Sequence, residues 1–243
     1  MYRRERCVRF MKVRVKFAKY GALRYIGHLD VMRFFQKALR RAEIDVVYTT
    51  GFSPHQVMSF ASPLGIGMIS TGEYMDIELN SHNGSADFVQ RLQAVCPAGI
   101  DILAAKELPE NARNAMASVA AATYAIAWKD QTKNFNDYTG QVEEYLKQSE
   151  IMIEKETKRS TAQMNIRPGI YDFHIEDGCL VFTVDASSAG NIRPGFVTDT
   201  FFAFVGISPD PLELQVCRAE TFYNAGTSEE VHLKPLIDAG EDF

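Results

Sequence analysis

The chain has 243 residues, of which 46% are hydrophobic and 23% charged, the composition of a globular protein with room for one large or two ordinary domains. No run approaches the roughly 18 apolar residues that span a bilayer, and the basic start, MYRRERCVRFMKVRVKF, lacks the apolar stretch of a secretory signal. A cytoplasmic protein with no membrane partner is therefore expected. Cys7, Cys96, Cys179 and Cys217 are far apart and form no CxxC, so the close ligand pairs of zinc and iron–sulfur sites are missing. Free thiols, no metal and no cofactor are expected.

The net charge of −5 is unevenly spread: residues 1–41 hold thirteen of the 26 basic residues and two of the 31 acidic ones, a net of +11 against −16 for the remainder. A basic block on an acidic body suits an anionic partner. The alternative is that the two ends neutralise each other within the fold.

Residues 1–10 read as a basic arm, or as an over-long start with Met11 as initiator. Residues 12–17 alternate, with Lys12, Arg14 and Lys16 opposite Val13, Val15 and Phe17, which predicts a strand with a wet basic face. HLDVMRFFQKALRRAEI predicts a helix with an apolar stripe of Leu29, Met32, Phe35, Leu39 and Ala42. Arg33, Lys37, Arg40 and Arg41 fall on its other side, and Asp30 suits the positive end of the helix dipole. A second strand is predicted over 44–50, then loops GFSPHQ and SFASPLGIG, a strand over 73–80, a helix over 85–95 ended by Pro97 and Gly99, and a strand over 100–107. This is a β-α-β-β-α-β unit over 11–107, the ferredoxin-like order.

A linker is predicted over 108–120, where the periodicity lapses, and a second such unit over 121–224. Its elements are a strand ATYAIAW, a helix over 136–148, strands over 150–156 and 161–176, the strand CLVFTVDAS, a helix from Phe196 to Phe204, and a closing strand LELQVCRAETFY. Residues 225–243 read as a frayed acidic tail. The fold class expected is α+β, two tandem ferredoxin-like units. One five-residue segment recurs: Asn165-Ile166-Arg167-Pro168-Gly169 and Asn191-Ile192-Arg193-Pro194-Gly195. The second copy is expected to open a helix, where proline is favourable, and the first to begin or bend a strand. Arg167 and Arg193, if they share a side, could hold a phosphate each.

The densest polar cluster joins Lys19, Arg24, Tyr25, His28 and Asp30 with Tyr48, Ser53 and His55. Two histidines near cations suit acid–base work on a phosphodiester; the bland reading is that His28 caps the helix and His55 braces a loop. Tyr20, Tyr25, Tyr48, Phe52 and Phe60 lie among the cations, and such aromatics suit unstacked bases, although a core position is expected for Phe52 and Phe60. GIGMISTG matches no phosphate-loop pattern and reads as a flexible turn. Asp76 and Glu78 are expected to pair with the basic strand rather than hold magnesium.

Arg24-Tyr25-Ile26-Gly27-His28-Leu29-Asp30, the basic helix after it, and Gly51-Phe52-Ser53-Pro54-His55 through Ser59-Phe60-Ala61 and Pro63-Leu64 resemble the bacterial radical-SAM-linked family, the domain of unknown function 2344. Gln56-Val57 departs from its pattern, which often has a basic residue there. The resemblance implies a separately encoded radical-SAM protein as partner, since this chain has no CxxxCxxC of its own. At fold level the tandem order is similar to Cas6-type RNA-processing endonucleases, which often use a histidine; such likeness says little of function.

Three functions follow as expectations. The first is an accessory RNA-binding module that holds tRNA or rRNA for the radical-SAM protein, with Lys12, Arg14, Lys16, Lys19, Arg24, Tyr25, Arg33, Lys37, Arg40, Arg167 and Arg193 on the RNA and His28 and His55 lining the site. The second is a metal-independent endoribonuclease with His28 and His55 as its catalytic pair. The third is a protein-interaction adaptor that binds no RNA.

Overall fold

In a computed structural model the described residues are 10–156, 161–227 and 230–243; the basic arm over 1–10 lies outside them but for Phe10. The chain is a mixed α/β protein whose sheet is mostly antiparallel, with five α-helices among the described residues, which fits the α+β class. It divides into two units, one of residues 1–66, 71–118 and 234–243, the other of 67–70 and 119–233.

The first unit begins with β1 (Met11–Lys19), whose Val13, Val15 and Phe17 are fully buried, as their alternation predicts. The opposite face is not wet. Arg14 is only 1% exposed and Lys12 and Lys16 are half-buried; Lys19, on the Phe17 face, is 2% exposed. Helix α1 (His28–Arg41) packs on the sheet through Val31, Phe35, Ala38 and Leu39. Its stripe is turned by one position from the expected one: Leu29 is 59% exposed, while Val31 and Ala38 take inner places.

No strand covers 44–50. Val46 and Tyr48 make isolated bridges to Leu79 and Gln56, and Thr49 and His55 close the tip of this ribbon through Thr49 N–H to His55 O at 2.8 Å. The regular edge strand comes later, as β2 (Met58–Phe60), antiparallel to Met75–Ile77 of β3 (Ile69–Leu79). GIGMISTG is not wholly a turn either, because β3 starts inside it. Then come α2 (Ser85–Ala94) and β4 (Ile100–Glu107), which pairs antiparallel with β1. The strand order is β4-β1-β3-β2.

The predicted linker is ordered around α3 (Ala115–Ser118). Leu108 and Ala115 are buried, and the unit boundary falls inside this stretch, after Ser118. The expected frayed tail is corrected in the same way. Leu236 is fully buried, Glu241 bridges to Glu107, and Phe243 packs on Phe88. Three apolar side chains in the last ten residues, Leu236, Ile237 and Phe243, explain why that segment folds despite its acids: their burial outweighs ordering a short segment.

The second unit runs β5 (Ala121–Trp128), α4 (Thr139–Leu146), the hairpin β6 (Met152–Glu156) and β7 (Thr161–Asn165), β8 (Ile170–Glu176), β9 (Cys179–Asp185), α5 (Pro194–Val205), β10 (Leu214–Asn224) and the start of β11 (Leu233–Pro235). Its strands lie in the order β8-β9-β5-β10, and Ile69 and Ser70 pair in parallel with Cys217 and Arg218. The strand expected over 161–176 is broken in two by Arg167-Pro168-Gly169. The core is aromatic: the rings of Phe173 and Phe201 lie 5.1 Å apart and those of Tyr145 and Phe201 5.4 Å.

Candidate functional site

Burial removes part of the expected cationic surface. The Arg14 guanidinium meets Asp76 in a two-pronged ion pair, Nε to Oδ1 at 2.8 Å and Nη2 to Oδ2 at 3.0 Å. It also donates to the carbonyls of Leu236 at 3.1 Å and Arg113 at 3.2 Å, while Ala115 N–H donates to Asp76 Oδ2 at 2.6 Å. Such a matched fork is how a buried arginine keeps its charge without water. Arg14 is therefore an internal strut rather than a phosphate contact, and Asp76 pairs with the basic strand as expected.

Lys19 donates to Ile26 O at 3.3 Å, inside the protein. Lys12 is half-buried with its ammonium 3.4 Å from Ala112 O, and the Lys16 ammonium lies 5.9 Å from the Tyr74 ring centre. Arg24 is half-buried and stacks over the exposed ring of Tyr25 at 5.0 Å.

In the second unit, Arg167 donates Nε to Leu146 O at 2.9 Å and Nη1 to Ile170 O at 3.3 Å. Arg193 is exposed, precedes Pro194 at the start of α5, and lies 6.0 Å from the Phe196 ring. The two copies of the repeat abut: a Cβ on Gly169 would stand 2.5 Å from Ile192 Cδ1. Their arginines, however, do different work. One ties backbone together and the other is open, so they do not form the paired phosphate clamp.

What stays outside is the outer face of α1. Arg33, Lys37 and Arg40 are exposed at four- and three-residue spacing, on one side of the helix. Arg33 has only a loose surface pair with Asp30 at 3.6 Å, which is worth little in water. Beside the second half of this helix lies an open hollow of about 190 Å³ lined by Gln36, Arg40, Tyr48, Pro54, His55 and Gln56. Tyr48 is 46% exposed and Phe52, at the ribbon tip, is wholly so. The expectation of a core place for Phe52 is thus corrected, whereas Phe60 is indeed buried. His55 is held by its loop, with Nδ1 3.0 Å from Thr49 Oγ1 and its N–H donating to that same oxygen at 3.1 Å.

His28 sits elsewhere. It is the first residue of α1, edge-on to Phe60 at 5.2 Å, in a small hollow shared with Lys19, Ser62 and Glu73. The hollow of His55 touches α1 at Gln36 and Arg40, eight to twelve residues further on, or roughly 12–18 Å at the helical rise. The two histidines are therefore not brought together as an acid–base pair.

Sequence reading missed Gln36 and Gln56. The only signals were that Gln36 lies one helical turn before Arg40, and that Gln56 stands where the family pattern often has a cation. Among the described residues no three His, Cys, Asp or Glu side chains gather as a metal site would, and no helix is long and apolar enough to cross a membrane.

Fold and site together define an α+β protein with one cationic, aromatic-rimmed face on its first helix. The chain belongs to the family described as an uncharacterized protein conserved in bacteria (DUF2344), whose model matches residues 12–194. That span takes in β1 from its second residue, α1 with His28, and the His55 loop, and stops at the first residue of α5. No curated protein matches the chain.

Proposed function

We propose that this protein is a cytoplasmic accessory module that presents structured RNA, tRNA or rRNA, to a separately encoded radical-SAM protein. The observation that carries the RNA reading is the face of α1. Three exposed cations, Arg33, Lys37 and Arg40, stand beside an open hollow rimmed by Tyr48 and His55, the pairing of phosphate neutralisers with ring faces that unstacked RNA requires. The radical-SAM partner rests on the motif resemblance around His28 and His55. We read each unit as ferredoxin-like, because each unit's strands have the first and third central, β4-β1-β3-β2 and β10-β5-β9-β8, with the β6–β7 hairpin as an insertion in the second. The separation of His28 from His55 removes the support for the two-histidine ribonuclease.

The test is binding of total tRNA, followed by fluorescence anisotropy between 50 and 200 mM salt. Three neutralised phosphates give a log–log slope of about −2, so affinity falls about twentyfold over that range. Replacing Arg33, Lys37 and Arg40 together by Gln flattens the slope. Binding that ignores salt, or that survives the triple replacement unchanged, overturns the reading.

A further inference from the structure

We infer that the hollow between the second half of α1 and the Tyr48–Gln56 ribbon seats one unpaired nucleotide, so that RNA is gripped at a single-stranded position and not along a duplex. This rests on the RNA-binding reading above and adds the class of RNA to it.

The hollow's shape is the first argument. Its volume is about 190 Å³, below the roughly 300–1,000 Å³ of enclosed small-ligand sites, room for one base with its ribose and phosphate outside. It is concave and open on one side. The bases of an A-form duplex are stacked inside and shown only at their edges, so a duplex meets proteins with its ribose and phosphate surface. Only an unstacked base can enter a hollow.

The chemistry is the second argument. Arg40 is exposed and its guanidinium has no hydrogen-bond or ion-pair partner among the described residues. The loop holds His55 by Nδ1, which leaves Nε2 as the ring's outward polar atom. Together they can meet one phosphate, the guanidinium in two-pronged fashion. Tyr48 supplies a ring face at the rim, with its hydroxyl held by Gln56 Nε2 at 3.3 Å.

Gln56 supplies the third argument. It is 5% exposed, yet its Oε1 is buried with no hydrogen-bond partner among the described residues. A native protein seldom leaves such an acceptor unmatched. With the amide turned over, the Tyr48 hydroxyl would donate to Oε1 and the NH₂ would be the unspent group, so one polar edge remains either way. The hollow is lined by the Gln56 and Gln36 amides, with a ring at its rim and a cation beside it, the complement of a nucleotide: base edge, base face and phosphate; the Gln56 side chain must turn its buried amide outward to meet a base edge.

The experiment uses the full chain and two labelled RNAs with equal numbers of phosphates, an unstructured single strand and a blunt duplex, at 100 mM salt. The single strand is expected to bind at least tenfold more tightly. Tyr48→Ala is expected to cost the single strand roughly five- to a hundredfold, the range for loss of a stacked base. The duplex should be unaffected, and Tyr48→Phe, which keeps the ring, should bind the single strand nearly as wild type. His55→Ala should also weaken only the single strand. Equal affinity for both RNAs, or variants that weaken both alike, overturns the inference while leaving the RNA reading standing. If neither RNA binds in a salt-dependent way, both are overturned.

Discussion

Removing the Asp76 carboxylate tests whether Arg14 is a structural strut. In the folded protein that carboxylate accepts from Arg14 Nε, Arg14 Nη2 and Ala115 N–H, at 2.6–3.0 Å. Asp76→Ala leaves a guanidinium that is 1% exposed facing an empty space, with only the Leu236 and Arg113 carbonyls to hold it. Breaking one side of a buried pair costs about 3–5 kcal/mol, a third or more of an ordinary domain's stability. In urea, at roughly 1–3 kcal/mol per molar, the first unit's midpoint should fall by about 1 M or more. The single tryptophan, Trp128, lies in the second unit, so its fluorescence does not report this event directly. Hydrogen exchange in peptides covering 11–19 and 71–79 does. A double variant, Arg14→Met with Asp76→Leu, should recover most of the loss, since it leaves no unpaired charge. A loss below about 1 kcal/mol in Asp76→Ala, or no recovery in the double variant, would refute the reasoning.

Leu236→Ala, at a fully buried side chain of the last ten residues, should cost the first unit about 2–5 kcal/mol, read by the same exchange experiment; a true frayed tail would give no change. Gly99→Ala should destabilise by more than about 1 kcal/mol in thermal unfolding, because φ is +98° and the new Cβ would stand 2.8 Å from the Tyr20 carbonyl oxygen. Burial pushes the Cys96 thiol up to about 11, so about a thousandth is thiolate at pH 8. Alkylation there at pH 8 should be far slower than in 8 M urea, as read by peptide mass spectrometry, and equal rates would contradict the burial.

Much of the fold was legible because strong periodicity survives folding. The alternation of Val13, Val15 and Phe17, and the Phe88–Leu92 spacing of α2, both place buried residues where the structure has them. Legibility failed where the pattern told only half the story. Arg14 alternates like a solvent-facing residue, and nothing local says that Asp76, 62 positions away, will cover it. Phe52 reads as core by residue type, yet the Thr49–His55 closure fixes it at a ribbon tip with nothing to pack on. The strand expected over 44–50 is instead a ribbon held by isolated bridges at Val46 and Tyr48, which the local residue pattern does not display. His28 and His55 group in the sequence because they belong to its densest polar segments. Their separation is set by the length of α1, which a motif does not display.

The expected choice between an anionic partner and internal neutralisation has a divided answer, and the division is what localises any RNA contact. The cations of β1 turn inward or lie along the protein's own groups, Arg14 wholly so, while those of α1 face water. The remainder of the chain, at −16, repels polyanions. In physiological salt the field of each surface charge fades over about 8 Å, so an RNA chain senses the local charge and not the net −5. The α1 face can therefore attract phosphate on a protein that is acidic as a whole. Arg167, tied to backbone carbonyls in the second unit, cannot substitute for it: neutralising Arg33, Lys37 and Arg40 leaves no second exposed cluster of cations on that helix except Arg41, whose guanidinium already donates to Val95 O at 3.2 Å.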